Sequence, residues 1–303
     1  MSTNEQTPRV IFASHGQQAV AVSQDLRTVV TTDDNLVAVY DASTGALRHS
    51  FETEFPEDIN KVLIHPDGRR LLTGRGYDGA VVRIHDLESG TELDHFGIND
   101  DTLGFFLLPD SRRVLTGYCQ LDMWDLDNGL LGPLWTQDDC ASCLEPMLHP
   151  NGEWIINRDD DRIAYFSVAD GSLVRELKVA HDDPGMLEEV DHGALLLPDA
   201  RRAVFAVGNG VPVLEVFDIE TGERFSPLEG HAGQVQALAL SPDGDRFASV
   251  ADDGFVRVWD SISLECVWTA KAHEGKAADV TFCGNEAVIT VGADGDGRLW
   301  DVV

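Results

Sequence analysis

The sequence predicts an all-β fold, a seven-bladed β-propeller of four-stranded antiparallel blades. Three observations predict it: an apolar hairpin that recurs seven times, a third strand with an aromatic residue or His near its end after each hairpin, and a short apolar segment near the N-terminus that completes the last repeat. A repeat of about 40 to 45 residues is typical of propeller blades. We therefore predict that residues 1–303 form a single propeller domain.

The hairpin supplies the first two strands of each blade. Its turn holds one Asp or Asn, and successive turn residues are 42, 43, 41, 48, 44 and 42 positions apart. The turn residues are Asp25, Asp67, Asp110, Asn151, Asp199, Asp243 and Asn285. Pro fixes φ, and Asp, Asn and Gly tolerate the positive φ of tight turns, so the turn composition suits a hairpin.

The third strand follows about fifteen residues after each hairpin turn, within the length of one blade. The aromatic or His residues near its end are Tyr40, His85, Trp124, Phe166, Phe217, Trp259 and Trp300. Six repeats continue into a turn and a fourth strand, whereas the seventh ends at Val303. We expect residues 10–12 to supply the outer strand of the blade formed by residues 273–303, because this closes the ring without a free inter-blade edge.

The last two repeats carry the most specific motif. The sixth reads EGHAGQVQALALSPDGDRFASVADDGFVRVWD, and the seventh repeats its pattern. The matching polar and aromatic residues are His231, Ser249, Asp253 and Trp259 in the sixth repeat and His273, Thr290, Asp294 and Trp300 in the seventh. The chain from Val10 to Asp301 resembles the WD40 repeat family, in which these four residues form a structural, hydrogen-bonded tetrad. A buried polar chain of this kind is stabilising when every member is satisfied.

The motif is less complete in the earlier repeats. Blade one keeps a turn acid, Asp34, but alignment of the sequence places Val30 at the hydroxyl position. Blade four likewise has Ile156 there and Phe166 in place of Trp. An apolar or aromatic residue at the Trp position still fills the space between blades, so these repeats are expected to rely on packing.

The composition is strongly acidic. There are 53 Asp and Glu residues against 22 Lys and Arg, giving a formal charge of −31, and Asp alone accounts for 35 residues while Lys accounts for 4. This charge opposes binding to nucleic-acid phosphates and to anionic membranes. It fits either a basic protein partner or adaptation to high salt, and the profile resembles proteins of salt-loving microbes.

The five Cys residues are sparse and odd in number, which is unlike a disulfide scaffold. The first residues, MSTNEQTPRVIF, have neither the basic start nor the apolar stretch of a signal peptide. We expect a cytoplasmic, monomeric protein on these grounds.

Three segments contain residues that could bind metal. Cys140 and Cys143 form a Cys-x-x-Cys pair, which could hold zinc or act as a redox couple, but a second matching pair is absent and a buried thiol is the favoured interpretation. Asp294, Asp296 and residues 159–161 could hold calcium, yet the spacing lacks the later Glu of a calcium loop and favours turn acids. No nucleophile or phosphate-loop motif is present. We predict no catalytic residue, no metal site and no cofactor.

The predicted function is a non-catalytic scaffold that binds a protein or peptide. WD40 relatives commonly bind partners on the face where the inner strands begin, so the resemblance implies a partner-binding rim. The candidate rim residues are Asp33, Asp58, Asn60, Tyr77, Asp101, Leu103, Leu144, His192, Gln234, Gln236, Asp252 and Lys276. The charged residues of this set are mostly acidic, which suits a basic peptide. The alternative is a propeller enzyme or small-molecule sensor with a site in the central channel.

Overall fold

The computed structural model describes residues 8–13, 18–54, 59–74, 81–97, 102–118, 120–127, 132–137, 144–159, 162–178, 193–207 and 213–302. The strands in these ranges form seven antiparallel sheets, which confirms the predicted all-β propeller. Within the same ranges, no helix is long and apolar enough to cross a membrane.

Each sheet is one blade, and its strands follow one another from the central channel outwards. Blade one contains β2 (Ala19–Val22), β3 (Thr28–Asp33), β4 (Leu36–Asp41) and β5 (Leu47–Glu52). Blade two contains β6 (Lys61–Ile64), β7 (Arg70–Gly74), β8 (Val81–Asp86) and β9 (Glu92–Gly97). Blade three contains β10 (Thr102–Leu107), β11 (Arg113–Tyr118), β12 (Leu121–Asp125) and β13 (Trp135–Gln137). Blade four contains β14 (Leu144–Leu148), β15 (Trp154–Asp159), β16 (Arg162–Ser167) and β17 (Leu173–Lys178).

The remaining blades follow the same order. Blade five contains β18 (Ala194–Leu196), β19 (Arg202–Val207) and β20 (Val213–Asp218). Blade six contains β21 (Val235–Leu240), β22 (Arg246–Ala251), β23 (Phe255–Asp260) and β24 (Cys266–Lys271). Blade seven contains β25 (Ala277–Phe282), β26 (Ala287–Gly292), β27 (Asp296–Asp301) and, from the N-terminus, β1 (Arg9–Ala13).

Strand β1 closes the ring. It pairs antiparallel with β27, from Arg9 opposite Leu299 to Ala13 opposite Asp296, so the predicted strand at residues 10–12 is confirmed and extends one residue further at each end. The Phe12 ring stacks on Tyr40 of blade one, with 4.5 Å between ring centroids. The inner strands of adjacent blades also contact one another all the way around, including β25 against β2.

Blade five differs at its outer edge. Residues 224–228 occupy the place of a fourth strand, but they join β20 through two isolated bridges, Phe217 to Arg224 and Leu214 to Leu228, rather than a continuous ladder. Pro227 lies between these bridges and has no N–H to donate, which interrupts regular pairing.

The core lies between the blades, and the alternation of side chains along each strand builds it. In β22, Phe247 packs in the cluster shared with blade five, whereas Ala248 and Val250 pack in the cluster shared with blade seven. Successive side chains of a strand point to opposite faces, so each inner blade face meets a neighbouring blade. Every blade therefore depends on the position of the next.

A recurring hydrogen bond ties five of the blades to the next blade. Side chains of one blade donate to the backbone carbonyl that follows the last residue of the next blade's third strand. The pairs are His49 to Leu87 (2.8 Å), Trp135 to Val168 (3.2 Å), Tyr165 to Ile219 (2.6 Å), Arg202 to Ser261 (2.9 Å) and Arg246 to Val302 (2.5 Å). The donor type varies although the acceptor position does not, so the geometry of the ring, not one residue type, defines this contact.

Candidate functional site

Blade six contains a continuous polar chain between its second and third strands. The Nε1–H of Trp259 donates to Ser249 Oγ at 2.9 Å, and Ser249 Oγ lies 2.8 Å from His231 Nε2. His231 Nδ1 lies 3.2 Å from an oxygen of Asp253. Because an indole only donates and a carboxylate only accepts, Trp259 donates to Ser249 and His231 donates to Asp253.

The carboxylate at the end of this chain is strongly held. Burial alone would raise the pKa of Asp253, but hydrogen bonds from His231 and from the backbone amides of Ala232 and Phe255 lower it to about 2. Those two amides lie 2.8 and 2.9 Å from the carboxylate oxygens. Asp253 therefore fixes both the histidine and the surrounding turn.

Blade seven has the same arrangement, with Thr290 in the place of serine. Trp300 Nε1 lies 3.0 Å and His273 Nε2 lies 2.9 Å from Thr290 Oγ1, and His273 Nδ1 lies 2.8 Å from Asp294. Burial lowers the pKa of His273 by more than the contact with Asp294 raises it, so the neutral imidazole is favoured. The guanidinium of Arg298, 2.9 Å from Asp294, adds a second partner for the carboxylate.

Three further blades keep the hydroxyl and its partner. In blade two, Thr73 Oγ1 lies 3.1 Å from His85 Nε2, and in blade three, Trp124 donates to Thr116 at 3.1 Å. The same register position in blade one is Thr31, opposite Ala38, so the expectation that Val30 takes the hydroxyl position is wrong. Residue Val30 is one position off, and its side chain points to the other face of the sheet.

Tyr40 is the partner of Thr31 in blade one. Burial raises the pKa of the Tyr40 phenol, and its hydrogen bond with Thr31 opposes that rise. The pairing of a hydroxyl on the second strand with a donor on the third strand thus extends to five blades, and the sequence alignment missed the hydroxyl in blade one.

Blades four and five have lost the hydroxyl. In blade four, the register opposite Ala164 places Asn157 at this position, so the expectation of Ile156 is also wrong. Asn157 is only 1% exposed, and its amide has no hydrogen-bond partner among the described residues. In blade five, Phe205 takes the position and Phe217 replaces Trp.

A buried arginine occupies the space between these two blades. The Arg158 guanidinium carbon lies 4.9 Å from the ring centroid of Phe205 and 4.5 Å from that of Phe217, and the side chain is 1% exposed. Arg158 Nη2 lies 3.2 Å from Glu215, and Arg224 lies 2.5 Å from the other oxygen of the same carboxylate. The repeat pattern of the sequence gives no sign of this pair, because Arg158 and Glu215 are 57 positions apart.

The end of the blades that carries the turns between second and third strands is called here the rim face. Of the candidate rim residues, six are described with their side chains: Asp33, Asn60, Gln234, Gln236, Asp252 and Lys276. Four others, Asp58, Tyr77, Asp101 and His192, lie outside the described residues, and Leu103 and Leu144 lie in β10 and β14 with side chains outside the description.

The structure brings together the rim residues of blade six. The backbone N–H of Asp252 donates to Gln234 O at 2.9 Å, and Gln236 Nε2 donates to an Asp252 carboxylate oxygen at 3.0 Å. Asp252, Asn60 and Lys276 are exposed, whereas Asp33 is half-buried. These side chains belong to four consecutive blades, six, seven, one and two, and lie at the rim face.

The central channel contains a cavity of about 350 Å³. The inner strands of blades two to six line it, with apolar side chains that include Phe106, Met147, Leu195 and Leu238. Lys61, at the start of β6, is its one charged lining residue within the described parts of the chain.

The other candidate metal-binding residues either contact a neighbouring side chain of the protein or lie outside the described residues. Asp294 and Asp296 both contact Arg298, at 2.9 and 2.6 Å. In the described ranges, no group of three or more His, Cys, Asp or Glu side chains is arranged to hold a metal ion. The Cys140 and Cys143 pair lies outside those ranges, as do Asp160 and Asp161.

Comparison with known proteins agrees with this geometry. A family model for the WD domain, G-beta repeat, matches residues 222–260, which include the second and third strands of blade six. Cilia- and flagella-associated protein 52 of Mus musculus is 23% identical over 245 residues, covering 78% of this chain and 37% of that protein. The WD repeat-containing protein 26 homolog of Arabidopsis thaliana is 22% identical over 240 residues, covering 65% of this chain and 40% of that protein.

A shorter match has higher identity. Ribosome biogenesis protein erb1 of Emericella nidulans is 41% identical over 71 residues, covering 23% of this chain and 9% of that protein. The chain spans less than half the length of these relatives. The similarity therefore concerns the repeats rather than the whole of any relative.

Proposed function

Given that the chain is a seven-bladed propeller of the WD40 repeat type, we propose that it is a non-catalytic scaffold that binds a protein or peptide on its rim face. The ring holds the turns of seven blades in fixed positions around one opening, and a rigid surface of this kind loses little conformational entropy on binding. We further propose that residues 1–303 act as a single unit.

We infer the charge of the partner from the distribution of charge between the two ends of the blades. Eight of the 18 arginines follow the hairpin turns at the opposite end: Arg27, Arg69, Arg70, Arg112, Arg113, Arg201, Arg202 and Arg246. Several of them pair there with turn acids, such as Arg70 with Asp67 at 2.7 Å. The carboxylates of Asp33 and Asp252 lie at the rim face, away from these cations, so a partner segment that contains Arg or Lys fits this face.

We propose adaptation to high salt as a second reason for the acidity of the surface as a whole. We also propose a cytoplasmic location. The acids are distributed along the entire chain rather than confined to the rim. Melting the protein across potassium chloride concentrations tests it, because self-repulsion among surface carboxylates weakens as salt screens it. A melting temperature that does not rise with salt contradicts this proposal.

The test of the scaffold is capture of partners from an extract of the native cells, with the intact chain as bait. We compare the wild type with the double variant Asp33→Asn/Asp252→Asn, which removes two rim charges. The matched control is Glu88→Gln/Glu220→Gln, which removes two exposed charges from the opposite end of the blades. Specific rim partners are expected to bind the wild type and the control and to be reduced at least fivefold on the rim variant.

Two outcomes count against the proposal. Partners that bind all three baits equally would show that the rim acids do not select them. Failure to recover any specific partner at the salt concentration of the native cell would contradict the scaffold itself.

A further inference from the structure

The exposed apolar side chains are unevenly distributed between the two ends of the blades. Within the described ranges, all of the large ones lie towards the end opposite the rim face, either in turns or at the start of the outermost strand or segment of a blade. Ile262, in the turn between the third and fourth strands of blade six, is the most exposed of them at 79%. Single exposed apolar residues are ordinary, whereas a concentration of them on one part of a surface indicates a contact surface.

Three of these side chains lie in two adjacent blades, and we call them the outer patch: Phe225 in the outer segment of blade five, and Ile262 and Val267 in blade six. The backbone carbonyl of Ile262 accepts a hydrogen bond from Arg202 of blade five at 2.9 Å, so the turn that carries Ile262 lies against blade five. Val267 is the extra residue of a bulge in β24 and is 53% exposed. The outer patch is therefore at the outer edge of blades five and six.

The turn that carries Ile262 departs from the corresponding turns of other blades at two positions. The place of Ile262 is taken by Ser43 in blade one and by Glu88 and Glu220 in blades two and five. Two positions later, blade six has Leu264 with a φ of 62°, a conformation that is unfavourable for leucine. The glycines with positive φ at that position in other blades are Gly45, Gly90, Gly171 and Gly222. Blade six has a complete tetrad, so these departures are not part of a general loss of the motif.

The backbone of this turn is held in place although Ile262 is exposed. Asp260 accepts hydrogen bonds from the N–H groups of Ile262 at 3.0 Å and Ser263 at 2.7 Å. Arg202 donates to the carbonyl oxygens of Ser261 and Ile262, both at 2.9 Å. A side chain on a fixed backbone loses little conformational entropy when a partner covers it.

The charged groups around the outer patch determine the sign of the partner. Glu223 precedes the outer segment of blade five, Glu265 precedes β24, and both are exposed. The neighbouring arginines are engaged within the protein, because Arg202 binds the carbonyls of the turn and Arg224 lies 2.5 Å from Glu215. The charges that flank the outer patch on its solvent side are thus carboxylates, which favour a cationic partner.

We propose that the outer patch is a second docking surface, which binds a segment of a partner protein that carries apolar side chains next to Arg or Lys. The apolar side chains of this segment cover Phe225, Ile262 and Val267, and its cations contact Glu223 and Glu265. The outer patch and the rim face lie at opposite ends of the blades, so one propeller holds two partners at once.

Selection from a phage-displayed library of short random peptides tests the class of partner. The intact protein is the bait, and the library is first depleted on the variant Ile262→Ser/Val267→Ser, whose replaced side chains are both exposed. Peptides that bind the wild type after this depletion are expected to combine apolar residues with Arg or Lys. Enrichment of acidic peptides, or no enrichment at all, would overturn the proposal.

A synthetic copy of the most enriched peptide measures the apolar contribution by fluorescence anisotropy. Its affinity is expected to fall at least tenfold on Ile262→Ser/Val267→Ser, because two apolar contacts are lost. The matched control is Leu47→Ser/Leu93→Ser, which removes two side chains that are each 55% exposed in blades one and two. The control is expected to bind the peptide within twofold of the wild type, and an equal loss on both variants would contradict a specific site.

Two further variants separate the outer patch from the rim face. Glu223→Gln/Glu265→Gln is expected to weaken binding of the same peptide severalfold, because it removes the carboxylates that contact its cations. The rim variant Asp33→Asn/Asp252→Asn is expected to bind it as the wild type does. A peptide that is weakened only by the rim variant would belong to the rim face, and the outer patch would then have no partner of this class.

Sedimentation equilibrium covers the case in which the occupant is a second copy of this chain. The wild type is expected to sediment as a monomer at the concentrations of the peptide titration. A dimer that Ile262→Ser/Val267→Ser abolishes would show that the outer patch joins two propellers, and it would overturn the proposal of a separate partner.

Discussion

In blade six a serine hydroxyl lies between a histidine and a tryptophan, whereas at the equivalent place in blade five two phenylalanine rings enclose the guanidinium of Arg158. Both arrangements fill the space on one face of a blade and contact the preceding blade. The first uses an indole, a hydroxyl, an imidazole and one carboxylate within a single blade. The second joins Arg158 of blade four to Glu215 of blade five.

The difference shows that the propeller geometry does not require one particular polar chain. The hydroxyl chain connects the strands of its own blade, so it stabilises that blade rather than its contact with the next one. The ion pair spans two blades, so it couples their positions, and both charges lose water on folding. Blades four and five are therefore joined by an ion pair as well as by packing.

Removal of β1 is expected to cause the largest loss of stability, because it opens the ring at blade seven, which has a complete tetrad. Deletion of residues 1–13 exposes the edge of β27 and removes Ile11 and Phe12, which are 7% and 5% exposed. We expect the free energy of unfolding to fall by about 5 kcal/mol or more, since loss of one buried Phe alone costs about 3–5 kcal/mol. Denaturant unfolding measures the effect. Deletion of residues 1–8, which leaves β1 complete, is the control and is expected to have little effect.

Disruption of the buried ion pair between Arg158 and Glu215 is expected to cause the next largest loss of stability. Glu215→Ala leaves the Arg158 guanidinium buried without this carboxylate, and we expect a loss of about 3–5 kcal/mol in denaturant unfolding. Replacement of both partners, Arg158→Leu/Glu215→Leu, is expected to recover most of this loss, because the two charges are then absent together. If the double variant is as unstable as Glu215→Ala, the ion pair contributes more to stability than the burial of its two charges costs.

Substitutions at the hydroxyl position compare the complete tetrad of blade six with the shorter hydrogen-bonded pair of blade three. Ser249→Ala removes the partner of both His231 and Trp259, and we expect a loss of about 1–3 kcal/mol. Thr116→Val removes one described side-chain partner, Trp124, and the expected loss is about 1 kcal/mol. Thermal unfolding of the two variants side by side checks the order. A larger loss in Thr116→Val would mean that packing, not hydrogen bonding, dominates at this position.

The sequence was sufficient for the ring and for the complete tetrads. Turn residues and aromatic residues recur at a fixed period, so the seven hairpins and the closing strand follow from spacing alone. The alignment failed where a blade lacks its motif. Val30 and Ile156 were each assigned one position away from Thr31 and Asn157, and a shift of one residue in a strand exchanges its two faces.

The sites between blades could not be predicted in the same way. Arg158 and Glu215 lie in different repeats, and each looks like a surface residue when its own repeat is considered alone. Lys61 is similar, because only the closed ring places it on the wall of a cavity with Leu195 and Leu238. A repeat pattern in the sequence predicts the contacts that all blades have in common. The contacts of Arg158, Glu215 and Lys61 involve residues that differ from one repeat to the next.

Acid is expected to weaken the tetrad blades by a smaller, graded amount. Asp253 has a pKa of about 2 in the folded protein, below its ordinary value near 3.8, so its stabilising contribution is complete above about pH 5 and is lost as the pH falls towards 2. Between pH 7 and 3 the corresponding loss is about 1 kcal/mol. His273, whose pKa is lowered by burial, favours the neutral form and adds a loss that begins as the pH falls below about 6.5. Denaturant unfolding between pH 7 and 3 measures both effects. In Asp253→Asn the dependence below pH 5 is expected to be shallower, and an unchanged slope would mean that other carboxylates carry the acid sensitivity.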